Sequence, residues 1–319
     1  MRQYIVRRLL AMIPVLLGIS LIIFLLFAMA PGDAITSANP HMSVAAKAQL
    51  RHQMHLDQPK LVQYLYWLKG AIHGDLGTST FYKKSVGSVI NSFIWNSFIL
   101  ELASTIAVIV IAIPIGVVAA TRQYSKFDSA SSVLALISMS VPDFFVGLLL
   151  IMVLSIYLPV FPVSGMQTTG STATGISHII DVMYHMFLPF LVLTITSIAG
   201  IMKYMRSSML EVISEEYIRT ARAKGLREKV VIYKHALRNA LIPIITLLGF
   251  TIPGLFAGAI ITEQIFSWPG IGPVTMLAVT NRDYPLCMGI NMLFAVLTLI
   301  GNLLADIMYA IVDPRIRLK

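Results

Sequence analysis

Long apolar runs alternate with shorter polar stretches along this chain of 319 residues. About 20 consecutive apolar residues suffice to cross the hydrocarbon core of a bilayer as an α-helix. The pattern predicts six such helices, at approximately residues 9–30, 96–120, 131–158, 186–202, 240–261 and 288–312. The predicted fold class is therefore an all-α membrane protein with six transmembrane helices.

The predicted helices divide the chain into three parts. Residues 1–30 hold the N-terminus and the first helix, and residues 31–95 form a polar segment with helix-like pieces. Residues 96–319 hold the other five helices and a charged loop at 203–243. The first apolar run resembles a signal peptide, but its 22 residues are long enough to span a bilayer, so we expect it to be retained.

Composition supports the membrane assignment, since 57% of the residues are hydrophobic and only 12% are charged. The net charge of +9 does not indicate a nucleic-acid partner, because no aromatic and basic groove pattern accompanies it. Instead, 17 of the 24 basic residues lie on one side of the predicted membrane, against one in the short loops opposite. The positive-inside rule then predicts cytoplasmic termini and an extracytoplasmic helical insertion at 31–95.

The charged stretch at 211–243 predicts a helix, a turn and a second helix at the cytoplasmic membrane surface. Ile213, Tyr217 and Ala221 recur every four residues, which places them on one face of a helix predicted over 213–224. Gly225 interrupts the pattern as a residue at a helix C-terminus does. Such a unit either binds a protein partner or lies as a basic amphipathic helix on anionic lipid.

This stretch also resembles a known family. The segments EYIRTARAKGL (216–226) and HALRNALIP (235–243) are similar to the EAA loop of ABC importer permeases, in the form of the B-type subunit of the oligopeptide, dipeptide and nickel group. Further similar motifs run along the whole chain: RRLL to PGD (7–33), LDQP to GDLGTS (56–79), VPDFFVG (141–147), ITEQIFSWPGIG (261–272) and NLLADIMYAIVDPRIR (302–317).

The resemblance implies a type I ABC importer permease fold and a multi-pass protein of a bacterial or archaeal inner membrane. It implies a heterodimer with a similar C-type permease, two cytoplasmic ABC ATPases, an extracytoplasmic solute-binding protein and a peptide substrate, with dipeptides or nickel as alternatives. ATP and Mg²⁺ would be bound by the ATPases. We expect no cofactor, metal or catalytic residue in this chain, which has no P-loop, HExxH motif or nucleophile elbow.

The resemblance also implies that the loop couples the chain to an ATPase. The predicted coupling residues are Glu216, Tyr217, Ile218, Arg219, Ala221, Arg222, Ala223, Lys224 and Gly225. Small alanines permit close approach, and Tyr217 and Ile218 are predicted anchors in the partner. Arg219 and Thr220 stand where the general EAA pattern has Glu and Ala, so a salt-bridge role of that Glu does not transfer to this chain.

Polar residues inside the predicted spans are candidates for the translocation path, because an ionisable group in a membrane is costly unless it faces a cavity or a partner. We predict path roles for Asp143, Glu101, Asn291 and Asn302. Asp143 follows Pro142, so a role at a helix end remains the alternative. Thr194, Thr196 and Ser197 either hydrate the path or form hydrogen bonds between helices. Asp306 and Asp313 are expected to pair with nearby arginines.

Two further features have competing interpretations. His41, His52 and His55 either form a metal site or solvate a surface, and their loose spacing favours the surface. Trp268-Pro269-Gly270 predicts a turn with a tryptophan at the membrane interface, where it is also placed to contact a binding protein. An ion-driven secondary transporter is the alternative function class, but the chain shows neither paired intramembrane acids nor an internal repeat.

Overall fold

The computed structural model describes residues 2–29, 42–53 and 57–312. These residues form α-helices joined by turns, with no β-strand among them. The α-helices within these ranges are α1 (Arg2–Met29), α2 (Val44–Gln53), α3 (Lys60–Ile72), α4 (Val86–Thr121), α5 (Lys126–Ser140), α6 (Asp143–Leu150), α7 (Ile176–Ile213), α8 (Glu216–Ala223), α9 (Glu228–Val230), α10 (Leu237–Thr251), α11 (Gly254–Ala257), α12 (Ile260–Ile265), α13 (Ile271–Thr280) and α14 (Tyr284–Val312). Two π-helical stretches continue α6 and α9, at Ile151–Tyr157 and Val231–Ala236.

The membrane fold predicted from the apolar runs is confirmed. Five helical segments in the described part are long and apolar enough to cross a membrane, and a sixth span results if two bent helices are counted together. The bent pair is α5 and α6 with its π-helical continuation, which meet at 97°. The bend falls at Val141 and Pro142, whose extended backbone ends α5 and begins α6.

Helices α4 and α7 form the centre of the bundle, and their contact is the most extensive between any two described elements. Their backbones come close at Gly116, where a Cβ atom would lie only 2.8 Å from the carbonyl oxygen of Met202. Ala112 and Ala199 belong to the neighbouring buried cluster. Small residues at this crossing permit the close helix packing that membrane interiors favour.

The two ends of the bundle have different cores. At one end, Val117 and Ala120 of α4 pack with residues of α7, α8 and α10. At the other end, Val86 and Val89 of α4 pack with Ile271 of α13 and with residues of α14. Since α4 runs the length of the bundle, the charged helix α8 and the short helix α13 lie at opposite ends.

Hydropathy located the membrane helices but not their ends. The fourth predicted helix, at 186–202, is the apolar middle of α7, which continues to Ile176 and Ile213. Similarly, α4 begins at Val86 instead of residue 96. A hydropathy pattern detects only the part of a helix that lies in lipid, whereas backbone hydrogen bonds continue through the polar ends.

The predictions made for individual polar residues have different outcomes. Asp306 forms the predicted ion pair, with Arg8 of α1 at 3.0 Å, and so joins α1 to α14. His52 lies 2.7 Å from Asp57 in an exposed pair. The other two histidines of the predicted cluster, His41 and His55, lie outside the described residues, as do the PGD segment at 31–33, Asp313 and the tail at 313–319. The division into 1–30, 31–95 and 96–319 stays a prediction.

Candidate coupling helix and membrane cavity

The charged stretch forms a short helix, α8, between two sharp changes of direction. It begins after Glu215, whose backbone is extended, and ends at Ala223. The predicted turn at Gly225 is confirmed, since this glycine has φ +72°, a left-handed conformation that other residues adopt at a cost. The amide of Gly225 donates to the carbonyl of Arg222 at 2.9 Å, which closes the end of the helix.

The start of α8 corrects the predicted helix at 213–224. Ile213 is the last residue of α7, and Ser214 turns the chain back with both its amide and its hydroxyl donating to the carbonyl of Glu211. The break resets the helical phase, so Ile213 does not share one helix face with Tyr217 and Ala221. Instead, Ile218 and Ala221 point inward, and Tyr217 is 44% exposed.

The inward face of α8 joins it to three membrane helices. Ile218 has no exposed surface and packs in one apolar cluster with Val117 of α4, Met205 of α7 and Ile244 of α10. The expectation that Ile218 and Ala221 contact a partner directly is therefore corrected for this conformation. Their position makes them the attachment of α8 to the bundle.

The outward face of α8 is polar and exposed. Together with the turn after Ala223, it carries the remaining predicted coupling residues, which are Glu216, Tyr217, Arg219, Arg222 and Ala223 in the helix and Lys224 and Gly225 in the turn. Arg219 donates to Glu216 at 2.9 Å within the helix. This face offers a partner basic groups beside the small side chain of Ala223 and the ring of Tyr217.

Two polar contacts hold α8 to the segment that follows it. The guanidinium of Arg222 donates to Glu228 from Nε at 3.2 Å and from a terminal nitrogen at 2.8 Å. This hydrogen bonding raises the pKa of Arg222 above its ordinary value. Partial desolvation raises the pKa of the Tyr217 hydroxyl above its ordinary value.

A cavity of about 750 Å³ lies among the membrane helices. Most of its wall is apolar, and its polar lining comes from side chains of α4, α7 and α10: Glu101, Ser104, Thr105, Thr196, Ser197, Tyr204 and Thr251. The volume is within the range of about 300–1,000 Å³ that is usual for small-molecule sites.

The predicted path residues occupy different places. Glu101 lines the cavity, as do Thr196 and Ser197. Asp143 is exposed at the first position of α6 and is not among the described lining residues, and neither are Asn291 and Asn302 of α14. Asn291 donates to the carbonyl of Cys287 at 2.8 Å. The structure therefore brings only Glu101 of the four to this cavity.

The turn before α13 corrects the prediction for Trp268. This side chain is 1% exposed, and its indole nitrogen donates to the carbonyl of Asn96 on α4 at 3.0 Å. The amide nitrogen of the Asn96 side chain donates to Pro269 at 2.7 Å in return. Trp268 is thus a buried link between two helices and not an interfacial residue that contacts a binding protein.

The same turn buries an acid that sequence reasoning missed. Glu263 has no exposed surface and lies among Gly258, Gly270 and Gly272, where added Cβ atoms would meet its carboxylate. The signal that points to it is the unusual density of glycines around one acidic residue. Tyr204, Thr105 and Thr251 of the cavity wall were also missed, because each resembles an ordinary helix residue in sequence.

Comparison with known proteins gives the same assignment along the whole chain. Residues 112–318 match the family described as binding-protein-dependent transport system inner membrane component. Residues 1–117 match the N-terminal domain described for the membrane component of such systems.

Individual relatives cover the chain from end to end. The oligopeptide transport system permease protein AppB of Bacillus subtilis is 44% identical, over 99% of both chains. The dipeptide transport system permease protein DppB of Escherichia coli K12 is 40% identical, over the full length of both. The glutathione transport system permease protein GsiC of Escherichia coli O6:H1 is 35% identical, again over both full lengths. The chain belongs to the family of inner membrane components of binding-protein-dependent transport systems.

Proposed function

We propose that this chain is one membrane subunit of an ATP-driven importer of oligopeptides, and that α8 is the helix through which a cytoplasmic ATPase moves it. The observation that carries the proposal is that the same three helices hold α8 and line the cavity. Helices α4, α7 and α10 surround Ile218 at one level and present Ser104, Thr196 and Leu247 to the cavity at another.

This arrangement explains how a force on α8 reaches the cavity. Close-packed side chains transmit displacement because they have little room to yield. Ile218 and Ala221 fix α8 against the bundle, while Arg222 and Glu228 bridge the turn at Gly225. A partner that binds the exposed face therefore shifts α4, α7 and α10 together, and with them the cavity wall.

The proposed cycle follows from this linkage. ATP binding draws two ATPases together, and the coupling helices of the two permease subunits follow. The cavity then changes from inward-facing to outward-facing, and the peptide enters from the binding protein outside. ATP hydrolysis and release of the products return the complex to the inward-facing state.

The partners belong to the same proposal. A second permease of the C type completes the translocation path, two cytoplasmic ATPases bind ATP and Mg²⁺, and an extracytoplasmic binding protein delivers the peptide. This chain contributes the path and the coupling helix and performs no chemical step. In this proposal α8 and both termini lie in the cytoplasm, which the distribution of basic residues supports.

Peptides are favoured as substrate because the relatives above are named for oligopeptide, dipeptide and glutathione transport. The cavity fits this class, because an apolar wall with scattered hydroxyls and one carboxylate does not demand one side chain. A dipeptide or nickel importer is the alternative within the family.

Replacement of Gly225 tests the coupling role. In the complete transporter, Gly225→Val places a β-branched residue at φ +72° and should abolish most ATP-dependent uptake. Gly170→Val is the matched control, because Gly170 also has positive φ and no atom within 4 Å of an added Cβ, but lies in the loop before α7. If Gly225→Val transports and assembles like the control, α8 is not the coupling helix.

Uptake measurements separate the substrates. Proteoliposomes that contain the complete transporter are supplied with binding protein and with a dipeptide, a tetrapeptide, an octapeptide or nickel. We expect ATP-dependent uptake of the peptides, with the longer ones included. Uptake of nickel without any peptide would overturn the peptide assignment.

A further inference from the structure

Glu263 is a buried carboxylate with one unsatisfied oxygen. Its Oε2 accepts a hydrogen bond from the amide of Gly272 at 2.9 Å, and the nearby Ser97 hydroxyl accepts one from the amide of Ile271 at 2.8 Å. Its Oε1 has no hydrogen-bond partner among the described residues, although the side chain is wholly buried. Buried polar atoms are almost always paired, so this oxygen leaves uncompensated negative polarity inside the protein.

This oxygen lies directly behind the cavity wall. A Cβ atom on Gly258 would be only 2.8 Å from Oε1 of Glu263, and Gly258 lines the cavity. Gly258 has φ +71° and presents only backbone at this point. The backbone of Gly258 therefore lies against both the unsatisfied oxygen and the cavity.

A second carboxylate, that of Glu101, lies on the cavity side of this wall. Glu101 follows Ser97 by one helical turn on α4, so both project from the same face of that helix. Ser97 and Glu263 both lie against Gly270, where an added Cβ atom would meet the two side chains, while Glu101 lines the cavity. Among the described lining residues, Glu101 is the only one with a charged side chain.

We propose that Glu101 and Glu263 form an acidic pair that binds the ammonium group of the transported solute. The inference rests on the proposed function, since the amino terminus of a peptide is the ammonium group in question. Glu101 contacts the ammonium in the cavity. Glu263 holds negative charge behind Gly258 and raises the preference of the site for a cation.

Electrostatics favours this occupant. Two carboxylates near each other in an apolar wall repel, and a cation between them relieves the repulsion. An ammonium donates three hydrogen bonds, and bonds between charged partners are the stronger kind. A transition metal fits less well, because no group of three His, Cys, Asp or Glu in the described residues is placed to hold one.

The pair would also orient the peptide. The amino terminus lies at Glu101, and the rest of the chain extends along apolar wall and hydroxyl groups that accept varied side chains. A site that binds an invariant group and leaves side chains loosely held permits transport of many sequences.

The test compares two solutes that differ only in the ammonium group. A peptide and its des-amino analogue, both supplied at concentrations that saturate the binding protein, are taken up by proteoliposomes with the complete transporter. We expect Glu101→Gln to lower uptake of the peptide by about tenfold, in keeping with loss of one charge-assisted hydrogen bond, and to leave the analogue unchanged. Glu263→Gln should act in the same direction with a smaller effect.

Asp181→Asn serves as the control, because it removes a carboxylate on α7 outside the cavity lining and keeps one of the two oxygens that accept hydrogen bonds from Thr168. It should leave the ratio of the two uptake rates as it is in the unaltered chain. The acidic-pair inference is overturned if Glu101→Gln lowers both rates equally or neither. If the unaltered transporter takes up no peptide at all, it is the proposed function that fails.

Discussion

The guanidinium of Arg222 and the carboxylate of Glu228 meet across the turn at Gly225, with donor–acceptor distances of 3.2 and 2.8 Å. The two residues belong to α8 and α9, so the pair links the exposed helix to the segment that leads into α10. The side chains are 41% and 56% exposed, and an ion pair at such a surface contributes about 0.2–1 kcal/mol. Its effect is therefore on the stiffness of the link more than on stability.

Removal of this pair should weaken coupling. In proteoliposomes, Arg222→Ala and Glu228→Gln are each expected to lower the amount of peptide transported per ATP hydrolysed by about twofold to fivefold, the range that a surface pair supports. Because the two residues act together, the double variant should be no worse than either single one. Additive losses would show that Arg222 and Glu228 act separately.

The attachment of α8 to the membrane helices depends on Ile218. Ile218→Ala leaves a void among Met205, Val231 and Ile244 and should cost about 2–5 kcal/mol, whereas Ile218→Val should cost about 0.5–1.5 kcal/mol. The measurement is the Tm of the solubilised transporter together with its uptake rate. Binding to the ATPases should survive in both variants, since Ile218 has no exposed surface. Loss of ATPase binding at an unchanged Tm would contradict this assignment.

Asp128 and Arg206 join the start of α5 to α7. Arg206 donates two hydrogen bonds to this carboxylate, at 2.5 and 2.8 Å, and the amide of Tyr124 donates a third at 2.9 Å. Asp128→Ala removes the buried partner of a guanidinium whose side chain is only 25% exposed, and should cost about 3 kcal/mol in the free energy of unfolding.

The comparison for this pair is Glu216→Ala, which breaks an exposed pair and should cost about 1 kcal/mol or less. The free energy of unfolding of both variants is measured by denaturing the solubilised protein and monitoring the loss of its monodisperse form. Equal effects of Asp128→Ala and Glu216→Ala would show that burial does not strengthen the first pair.

The segment before α4 is fastened to the last helix by Asp283. Its buried carboxylate accepts from the Ser79 hydroxyl at 2.5 Å, from the Phe81 amide at 3.0 Å and from the Leu286 amide at 3.3 Å. Ser79→Ala removes one donor and should cost about 1–3 kcal/mol, seen as faster hydrogen exchange at the Phe81 amide.

Ser88→Ala is the control for this contact, because the Ser88 hydroxyl bonds only to a nearby backbone carbonyl at an exposed position. It should leave exchange at the Phe81 amide unchanged. If the Phe81 amide exchanges no faster in the Ser79→Ala variant than in the Ser88→Ala variant, Asp283 does not hold the segment to the last helix.

Local signals predicted most of the fold. Apolar runs located the membrane helices because a helix in lipid must be hydrophobic along its length. Hydropathy averaged over a window of neighbouring residues detects this property. Gly225 was predicted as the end of α8 because a left-handed residue is needed there and glycine adopts that conformation most easily. The pairing of Asp306 with an arginine was likewise predicted, because isolated charges near a membrane require partners.

Features that depend on distant contacts were not predicted. The continuous helix predicted over 213–224 is wrong because the chain breaks at Ser214, which the periodicity of Ile213, Tyr217 and Ala221 cannot detect. Glu263 was overlooked because its burial depends on Ser97, which lies 166 positions earlier, and on glycines brought together by the turn. Asp143 was predicted to line the translocation path because it is an acid within an apolar run, but the bend at Pro142 leaves this residue exposed.

Cross-linking tests the central claim, that the outward face of α8 binds an ATPase. Thr220→Cys and Thr280→Cys are matched variants: both residues are exposed, each hydroxyl bonds to the carbonyl four positions earlier, and they lie at opposite ends of the bundle. The native Cys287 is buried and should not react. With a short reagent that carries a maleimide for the cysteine thiol and an activated ester for lysine amines of the partner, we predict a covalent adduct between the ATPase and the Thr220→Cys chain and none with Thr280→Cys. An intact complex that gives no adduct from Thr220→Cys, or gives one from Thr280→Cys, would contradict the account.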